Sequence, residues 1–202
     1  MNIVAIDASP SRGVVSLSVE ATARSAEKAE ATVERVRLAE LKIHTCTGCG
    51  MCRYGDGCKI DDDLPGLARR IAEADGVILG LPAYFRRPDP ALQATLGRLH
   101  RFFPRDRQLV LPGMDAHDRR TGTGAKSVTR AVIITASRAP EPLATFFGYT
   151  TGPIRELRNA LGAGGIRTVG SLALTGGWLR ESFDDWEREK ATSLGRMLAG
   201  RV

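Results

Sequence analysis

All four cysteines of the chain lie between positions 46 and 58, as Cys46, Cys49, Cys52 and Cys58. Two overlapping CxxC turns supply three thiolates, and a five-residue spacer returns the fourth. Thiolates at this spacing converge on one metal centre, because two intervening residues let the backbone curl around it. The pattern predicts a [4Fe-4S] cluster. A structural zinc ion and a metal-free thiol loop are the open alternatives.

The same spacing would form disulfides outside the cell, so the compartment matters. Residues 1–7 contain no basic region followed by an apolar core, which a secretory signal requires. No apolar run approaches the roughly 20 residues needed to cross a bilayer. We therefore expect a soluble cytoplasmic protein that does not act at a membrane.

A second candidate site follows the first apolar run. Residues 8–16 read Ala-Ser-Pro-Ser-Arg-Gly-Val-Val-Ser and supply hydroxyls, a guanidinium and backbone amides at the start of a helix. Such a segment can bind an anion. It matches neither the Walker loop nor the GxGxxG fingerprint, which disfavours nucleoside triphosphates and a Rossmann dinucleotide site. An ordinary turn with a serine cap explains these residues equally well.

Length and composition indicate one globular domain, residues 1–202, with 43% hydrophobic and 26% charged residues. The net charge is +6, but the basic residues are scattered and only 5% of residues are aromatic. A nucleic-acid surface needs clustered basic residues, so we expect no nucleic-acid partner. The positive charge is better suited to an anionic cofactor.

Short apolar runs alternate with segments of helical spacing, and this alternation predicts a doubly wound α/β fold with five parallel strands. The predicted strands cover residues 2–7, 33–38, 76–81, 131–135 and 166–174, and the predicted helices cover residues 14–30, 64–72, 90–103, 153–161 and 181–199. Ligands bind beyond the carboxyl ends of such strands, so the loops after Asp7, Leu81 and Thr135 should form the site.

Three local features complete the prediction. Pro82 is expected to end the third strand, because proline lacks a donor for the sheet. The acidic run at 61–63 is interpreted as the cap of the following helix rather than as a divalent-metal site. Residues 112–130, rich in Gly, Thr, Arg and Asp, are interpreted as a mobile surface insertion.

Several segments resemble a known family. Ser-Pro-Ser-Arg at 9–12 resembles the phosphate loop of the flavodoxin-like NADPH-dependent FMN reductase superfamily, and Leu-Pro-Ala-Tyr-Phe at 81–85 resembles its second flavin loop. Residues 91–98 are similar to the family helix Gln-Leu-Lys-Ala-Phe-Ile-Asp-Arg, and residues 147–155 resemble a later segment of one bacterial subgroup. The loop at 46–58 resembles that of the iron-sulfur flavoproteins.

The resemblance implies a flavodoxin-like fold and two sets of ligand-binding residues. The residues implied for the FMN phosphate are Ser9, Ser11, Arg12 and Ser16. Those implied along the isoalloxazine are Pro82, Ala83, Tyr84, Phe85 and Arg86, with Ser137 closing the site. The cluster ligands implied are the four cysteines. No residue is expected to act as a catalytic acid or base.

The function that the resemblance implies is an FMN-dependent oxidoreductase in which the cluster passes single electrons. Its partners would be a small-molecule or protein electron donor and acceptor, with NAD(P)H one candidate donor. We expect a homodimer or homotetramer. One alternative is a cluster-free NAD(P)H-dependent FMN or quinone reductase with a vestigial or redox-sensing cysteine loop. Another is a non-enzymatic, metal-stapled binding module.

Overall fold

The computed structural model describes residues 1–51, 58–84, 87–88, 90–99, 129–163, 165–177 and 182–200. Three of the predicted site residues, Cys52, Phe85 and Arg86, lie outside these ranges. So does the predicted insertion, apart from its last two residues.

Strands and helices alternate along the described chain. The strands are β1 (Asn2–Asp7), β2 (Thr32–Arg37), β3 (Gly76–Tyr84), β4 (Arg87–Pro88), β5 (Arg130–Ser137) and β6 (Arg167–Leu174). The helices are α1 (Val14–Lys28), α2 (Leu64–Glu73), α3 (Pro90–Leu99), α4 (Leu143–Phe146), α5 (Thr151–Ala163) and α6 (Asp185–Leu198). None of the helices in the described ranges has the length and apolarity that a bilayer span requires.

The sheet has the strand order β2-β1-β3-β5-β6, and all neighbours in this order are parallel. This is the order of flavodoxin-like proteins when the two-residue β4, which pairs antiparallel with β3, is set aside. The predicted doubly wound sheet of five parallel strands is therefore confirmed. Its order reverses between β1 and β3, which is where such sheets bind ligands.

Apolar side chains cover both faces of the sheet. In β1, Ile3 and Ala5 pack in the cluster that α1 and α6 complete, whereas Val4 and Ile6 pack in the cluster formed with α2, α3 and α5. Successive strand residues point to opposite faces, which explains why a strand buried on both sides reads as an unbroken apolar run. Burying each branched side chain contributes about 1.5–3 kcal/mol.

The third strand does not end at Pro82, contrary to the prediction. It continues to Tyr84, with Pro82 opposite Ala136 in β5. The carbonyl of Gly80 accepts a hydrogen bond from the Ala8 amide, so the polar groups of Gly80 face β1, and those of Pro82, two residues on, face the same side. There β1 has already ended, because its last paired residue lies opposite Gly80. The missing proline donor therefore removes no hydrogen bond from the paired β1–β3 residues.

Other boundaries also shift. The sheet takes in Arg130, the last residue of the segment interpreted as an insertion. Helix α5 begins two residues before Pro153. The last helix begins at Asp185, where Asp184 and Glu187 form a capping box. The short helix α4 was not predicted, since four residues are too few to show a periodic pattern.

Helix α1 is held against α6 at a glycine. A methyl group on Gly195 would lie 2.3 Å from the Thr22 carbonyl oxygen and 2.8 Å from the Ser25 Cβ atom. Nearby, the Ser25 hydroxyl donates to the Thr192 carbonyl at 2.7 Å. The backbones of the two helices are therefore in direct contact, and any side chain at position 195 would force them apart.

We predict that Gly195→Ala lowers the free energy of unfolding by roughly 1–3 kcal/mol, because a closely packed core cannot absorb the added methyl. Urea denaturation followed by circular dichroism measures this change. Gly97→Ala in α3 is the matched control, because nothing lies within 4 Å of its Cβ position. That substitution should stabilise the protein by about 0.5–1 kcal/mol through helix propensity alone. Equal effects of the two substitutions would contradict the close contact.

Candidate functional site

The sheet register brings the three predicted loops to one edge. Asp7 pairs with Gly80, and the Ala8 amide donates to the Gly80 carbonyl at 2.8 Å, which fixes the loop after β1 beside β3. Ala83 pairs with Ser137, which places the end of β3 beside the end of β5. The carboxyl edge of the sheet therefore joins the anion-binding segment to the second flavin loop, as expected for this topology.

Asp7 organises the loop after β1, and sequence reasoning did not assign it a role. One carboxylate oxygen accepts the Ser9 amide at 2.9 Å, and the other accepts the Ser16 hydroxyl at 2.6 Å. The Arg37 Nε atom lies 3.9 Å from the same carboxylate. A buried carboxylate at the end of β1 thus ties the start of the loop to the first turn of α1. The available signal was an acidic residue ending an apolar run.

The Ser9 and Ser11 hydroxyls are buried and have no hydrogen-bond partner among the described residues. Beside them, Gly13 is the N-cap residue of α1, no side chain caps the helix, and its first turn has no acidic residue. The first amides of a helix have no acceptor within the helix, and its N-terminus attracts negative charge. Arg12, in the same loop, is exposed. Hydroxyls, amides and a guanidinium are therefore available to an anion.

Ser16 is placed differently from its predicted role. Its hydroxyl proton is donated to Asp7, which leaves only its backbone amide for an anion in this arrangement. A carboxylate that accepts from both Ser9 and Ser16 also withdraws the Ser9 amide from ligand binding. The donors left for an anion are thus the Ser9 and Ser11 hydroxyls, Arg12 and the first amides of α1. The role of the Ser16 side chain stays a prediction.

The second loop presents a short, donor-poor wall. Pro82 and Ala83 are buried at the end of β3, and Tyr84 is its last residue. Ser137 is buried beside them, and its hydroxyl donates to the Ala139 carbonyl at 3.4 Å. The Gly177 amide donates to the Ser137 carbonyl at 2.9 Å, so the loop after β6 also borders this site. The sequence signal for that contribution was the paired glycines at 176 and 177.

An open groove of about 760 Å³ runs from the anion-binding segment along α1 and β2. Arg12, Gly13 and Ser16 line its upper end, and Glu20, Arg24 and Arg35 line its lower end. Its lining includes no residue of β3 or β5. The groove therefore gives access to the anion-binding end of the site and is not the place for a flat ring between the second and third loops.

The lower end of the groove is occupied by ion pairs. Arg35 lies 2.8 Å from Glu20 and 2.7 Å from Glu27, and Arg24 lies 2.6 Å from Glu20. Hydrogen bonds from Arg35 hold the pKa of both glutamates below the ordinary value. These charges neutralise one another, so Arg12 is the cation at the upper end that remains available to a ligand.

The described part of the cysteine loop shows features of a thiolate site. Cys46 and Cys49 are exposed and Cys58 is half-buried. The Gly48 amide donates to the Cys46 sulfur at 3.4 Å, in a turn that Gly48 and Gly50 permit with φ of 70° and 72°. Hydrogen bonds from the Met51 amide and the Thr47 hydroxyl lower the pKa of Cys49. The donor set therefore fits a soft metal centre.

Cys52 lies outside the described residues, so the ligand set is incomplete there. Among the residues that are described, no three His, Cys, Asp or Glu side chains converge in the manner of a metal site. The assignment of Cys46, Cys49, Cys52 and Cys58 as ligands therefore stays a prediction.

The acidic run at 61–63 does more than cap α2. Asp63 occupies the cap position without making a capping hydrogen bond. Its carboxylate instead accepts the Lys42 amide at 2.7 Å, and Asp62 accepts the His44 amide at 2.9 Å. Asp62 also accepts the Leu64 amide at 3.2 Å, which is the one bond to the helix start. The run therefore closes the base of the cysteine loop, a long-range role that the local pattern does not show.

Arg98 completes this base from α3. It is a buried cation, and its partner Asp62 is fully buried. Its guanidinium also donates to the His44 carbonyl at 2.6 Å and to the Cys58 sulfur at 3.5 Å. Burial acts to raise the pKa of Asp62, but the hydrogen bonds from Arg98, His44 and Leu64 outweigh it and hold that pKa below the ordinary value. Residues 91–98 carried the family resemblance, but nothing in the sequence linked Arg98 to the cysteines.

The family model for NADPH-dependent FMN reductases matches residues 1–147, which include β1 to β5 and all three loops at the carboxyl edge. The chain belongs to this family. Membership supports FMN as the cofactor, since the family is described by that molecule. It also confirms the resemblance drawn from the phosphate loop, the second flavin loop and the α3 segment.

Two curated relatives of this chain are named iron-sulfur flavoproteins. An iron-sulfur flavoprotein of Archaeoglobus fulgidus is 28% identical over 200 residues, which cover 98% of this chain and 79% of that protein. An iron-sulfur flavoprotein of Methanocaldococcus jannaschii is 31% identical over 99 residues, 48% of this chain and 51% of that protein. The match thus spans about half the length of the second relative.

A solved structure confirms the fold. A flavone reductase superimposes on 99% of this chain with a TM-score of 0.71 and 18% identity, and the match covers 62% of that chain. At this identity the likeness concerns the fold alone. The flavodoxin-like architecture predicted from the sequence is therefore confirmed by strand order and by structural comparison.

We predict that Ser9→Ala has opposite effects on the flavin-free protein and on FMN binding. Removing a buried hydroxyl without a partner should leave the flavin-free protein equally stable or about 1 kcal/mol more stable. Losing a hydrogen bond to the phosphate should weaken FMN binding by about 1–2 kcal/mol, or roughly 5- to 30-fold. Fluorescence titration measures the affinity, and urea denaturation measures the stability.

Riboflavin, which lacks the phosphate, should bind Ser9→Ala and the wild type equally well. Ser18→Ala is the matched control, because Ser18 is a buried α1 serine whose hydroxyl already donates to Val14. It should leave the preference for FMN over riboflavin unchanged. An unchanged preference in Ser9→Ala as well would remove Ser9 from the phosphate site.

We also predict that Arg35→Gln destabilises the protein at pH 7, and that this effect shrinks as the pH is lowered through the acidic range. The pKa values of Glu20 and Glu27 are lowered in the folded state, so their stabilising contribution is present above the unfolded value and is lost as the pH falls through the folded one. The pairs are partly exposed, so about 0.5–1 kcal/mol is expected at pH 7. Arg69→Gln, which removes an exposed arginine of α2, should show no such pH dependence in urea denaturation.

Proposed function

We propose that this chain is an FMN-dependent oxidoreductase whose cysteine loop carries a [4Fe-4S] cluster for single-electron transfer. The observation that carries the flavin part is the pair of buried, unpartnered hydroxyls of Ser9 and Ser11 beside the uncapped start of α1. Buried polar groups are normally hydrogen-bonded, so this pair indicates a ligand with acceptor oxygens. A phosphate monoester at this edge of the sheet meets that requirement.

The protein supplies binding and orientation at the flavin site. Ser9, Ser11 and Arg12 neutralise and hydrogen-bond the phosphate, while Asp7 keeps the loop in register with α1. Pro82 and Ala83 form a wall without side-chain donors, and Ser137 closes it. Tyr84, Phe85 and Arg86 are assigned to the ring on the family resemblance alone. Bound FMN supplies the exchange of electron pairs with a nicotinamide and of single electrons with a cluster.

The cysteine loop is assigned to the cluster on three grounds. The thiolates are compactly spaced, and the Gly48 amide already donates to the Cys46 sulfur. The relative that matches 98% of this chain is named an iron-sulfur flavoprotein. Structural zinc sites usually use two separated CxxC turns, which this chain lacks. Cys46, Cys49, Cys52 and Cys58 therefore hold the cluster in this proposal, and a zinc-bound or empty loop is an outcome of the test below.

The proposed partners are NAD(P)H as electron donor and a small molecule or protein as acceptor. We place the protein in the cytoplasm as a homodimer or homotetramer. Phe146 and Phe147 support self-association, because these aromatic side chains of the α4 turn are 82% and 46% exposed beside the carboxyl edge. No catalytic acid or base is required, since electron transfer to and from flavin is cofactor chemistry.

Anaerobic purification followed by flavin, iron, sulfide and zinc analysis tests the proposal. One FMN per chain with about four iron and four sulfide ions supports it. Flavin bands without iron or sulfide would identify the cluster-free reductase, and zinc in place of iron would identify a structural metal. Protein that stays colourless after incubation with FMN would overturn the flavin assignment and favour the non-enzymatic binding module.

We predict that Cys46→Ser loses iron but keeps FMN, because the cysteine loop and the phosphate loop are separate segments. Iron content should fall at least tenfold, and FMN affinity should change less than twofold. Thr45→Ser, a neighbouring substitution in the same loop, should retain both cofactors. Simultaneous loss of iron and FMN in Cys46→Ser would show that the two sites are not independent.

A further inference from the structure

Arg98 has no role in the proposed flavin chemistry, yet it is the largest of the fully buried side chains in the described structure. Its own exposed fraction is 2%, and that of Asp62 is 0%. Burying a guanidinium and a carboxylate removes both from water, and that penalty is offset only when geometry and hydrogen bonding are good. The buried pair of Arg98 and Asp62 is therefore a candidate for a specific function.

The guanidinium contacts three parts of one loop. Its Nη1 atom donates to the His44 carbonyl at 2.6 Å, before the first cysteine. Its Nη2 atom donates to the Cys58 sulfur at 3.5 Å and to the Asp62 carboxylate at 3.1 Å, at and after the last cysteine. A single side chain therefore joins the two ends of the 46–58 loop.

We infer that Arg98 is a positioning residue for the cysteine loop, and that its hydrogen bond to Cys58 sets the reduction potential of the cluster. This inference rests on the function proposed above. Groups that orient metal ligands control both metal retention and electronic properties, and hydrogen bonds to cluster sulfurs are one determinant of potential. The Arg98 N–H group favours the more negative, reduced cluster, so its removal makes the potential more negative.

Arginine suits this role and lysine does not. The three acceptors are a carbonyl, a carboxylate and a sulfur, and they lie around the planar fork of one guanidinium. A guanidinium presents five N–H donors in fixed directions, whereas an ammonium is a compact charge on a flexible stem. Arg98→Lys therefore keeps the charge opposite Asp62 but cannot reach all three acceptors.

The backbone around the loop base provides a readout that needs no metal. The amides of Lys42 and His44 donate to Asp63 and Asp62, and the Asp63 amide donates back to the Lys42 carbonyl at 3.0 Å. Arg98 holds Asp62 in this arrangement. Loss of the Arg98 contacts should free the His44 amide, and hydrogen exchange detects that directly.

The experiment compares the wild type with Arg98→Lys, using Arg70→Gln as the control because Arg70 makes an exposed ion pair with Glu34. In Arg98→Lys we expect iron loss to a chelator to be about tenfold faster and the cluster midpoint potential to be more negative. In cluster-free protein, amide exchange at 42–44 should be about tenfold faster. FMN content should be unchanged, and Arg70→Gln should match the wild type throughout.

A double variant, Arg98→Gln with Asp62→Asn, removes both buried charges while keeping polar side chains, and covers the case in which the single variant does not fold. It should fold and bind FMN but show the same faster exchange and iron loss. Unchanged exchange and an unchanged potential in either folded variant would overturn the inference. If the wild type contains no iron, the proposed function fails, whereas the exchange measurement still decides whether Arg98 fixes the loop.

Discussion

The position of the phosphate loop, between β1 and α1, depends on how closely α1 can approach the sheet. At Gly80 in β3, an added methyl group would lie 2.2 Å from the Val19 side chain and 3.1 Å from that of Val15, so α1 rests directly on the strand backbone. On its other side α1 meets the backbone of α6 at Gly195. Two glycines thus fix the depth of the helix, and with it the height of its N-terminus above the carboxyl edge.

With α1 in this position, the loop after β1 both connects the strand to the helix and leaves polar groups for a ligand. Asp7 is the last residue of β1 and lies opposite Gly80. Its carboxylate accepts the Ser9 amide and the Ser16 hydroxyl, which fixes the connecting residues against the first turn of α1. The buried Ser9 and Ser11 hydroxyls are then left without hydrogen-bond partners in the described part of the chain. Two of the unsatisfied buried polar atoms of the described residues therefore lie together where an anionic ligand can satisfy them.

Most of the fold could be predicted from sequence, because a doubly buried strand and an amphipathic helix have local signatures. The misses come from tertiary context. Pro82 is an ordinary strand terminator by local rules, and its acceptance in β3 depends on β1 having ended beside it. Asp62 resembles a helix cap, but its main partner, Arg98, lies 36 residues away. The loop after β1 was singled out from its residue types, and the role of its residues in binding a phosphate stays a prediction, whereas the hydroxyl of Ser16 is directed by Asp7.

The contact of α6 with α1 has a consequence for biosynthesis. The residues that would bind the phosphate lie in the first 16 positions, but the helix that carries them is buried on one side by residues near position 195. Domains generally fold as units during synthesis. A nascent chain therefore lacks this packing partner of α1 until α6 has been made. An FMN site at this loop would accordingly be complete only after the C-terminal helix has been synthesised.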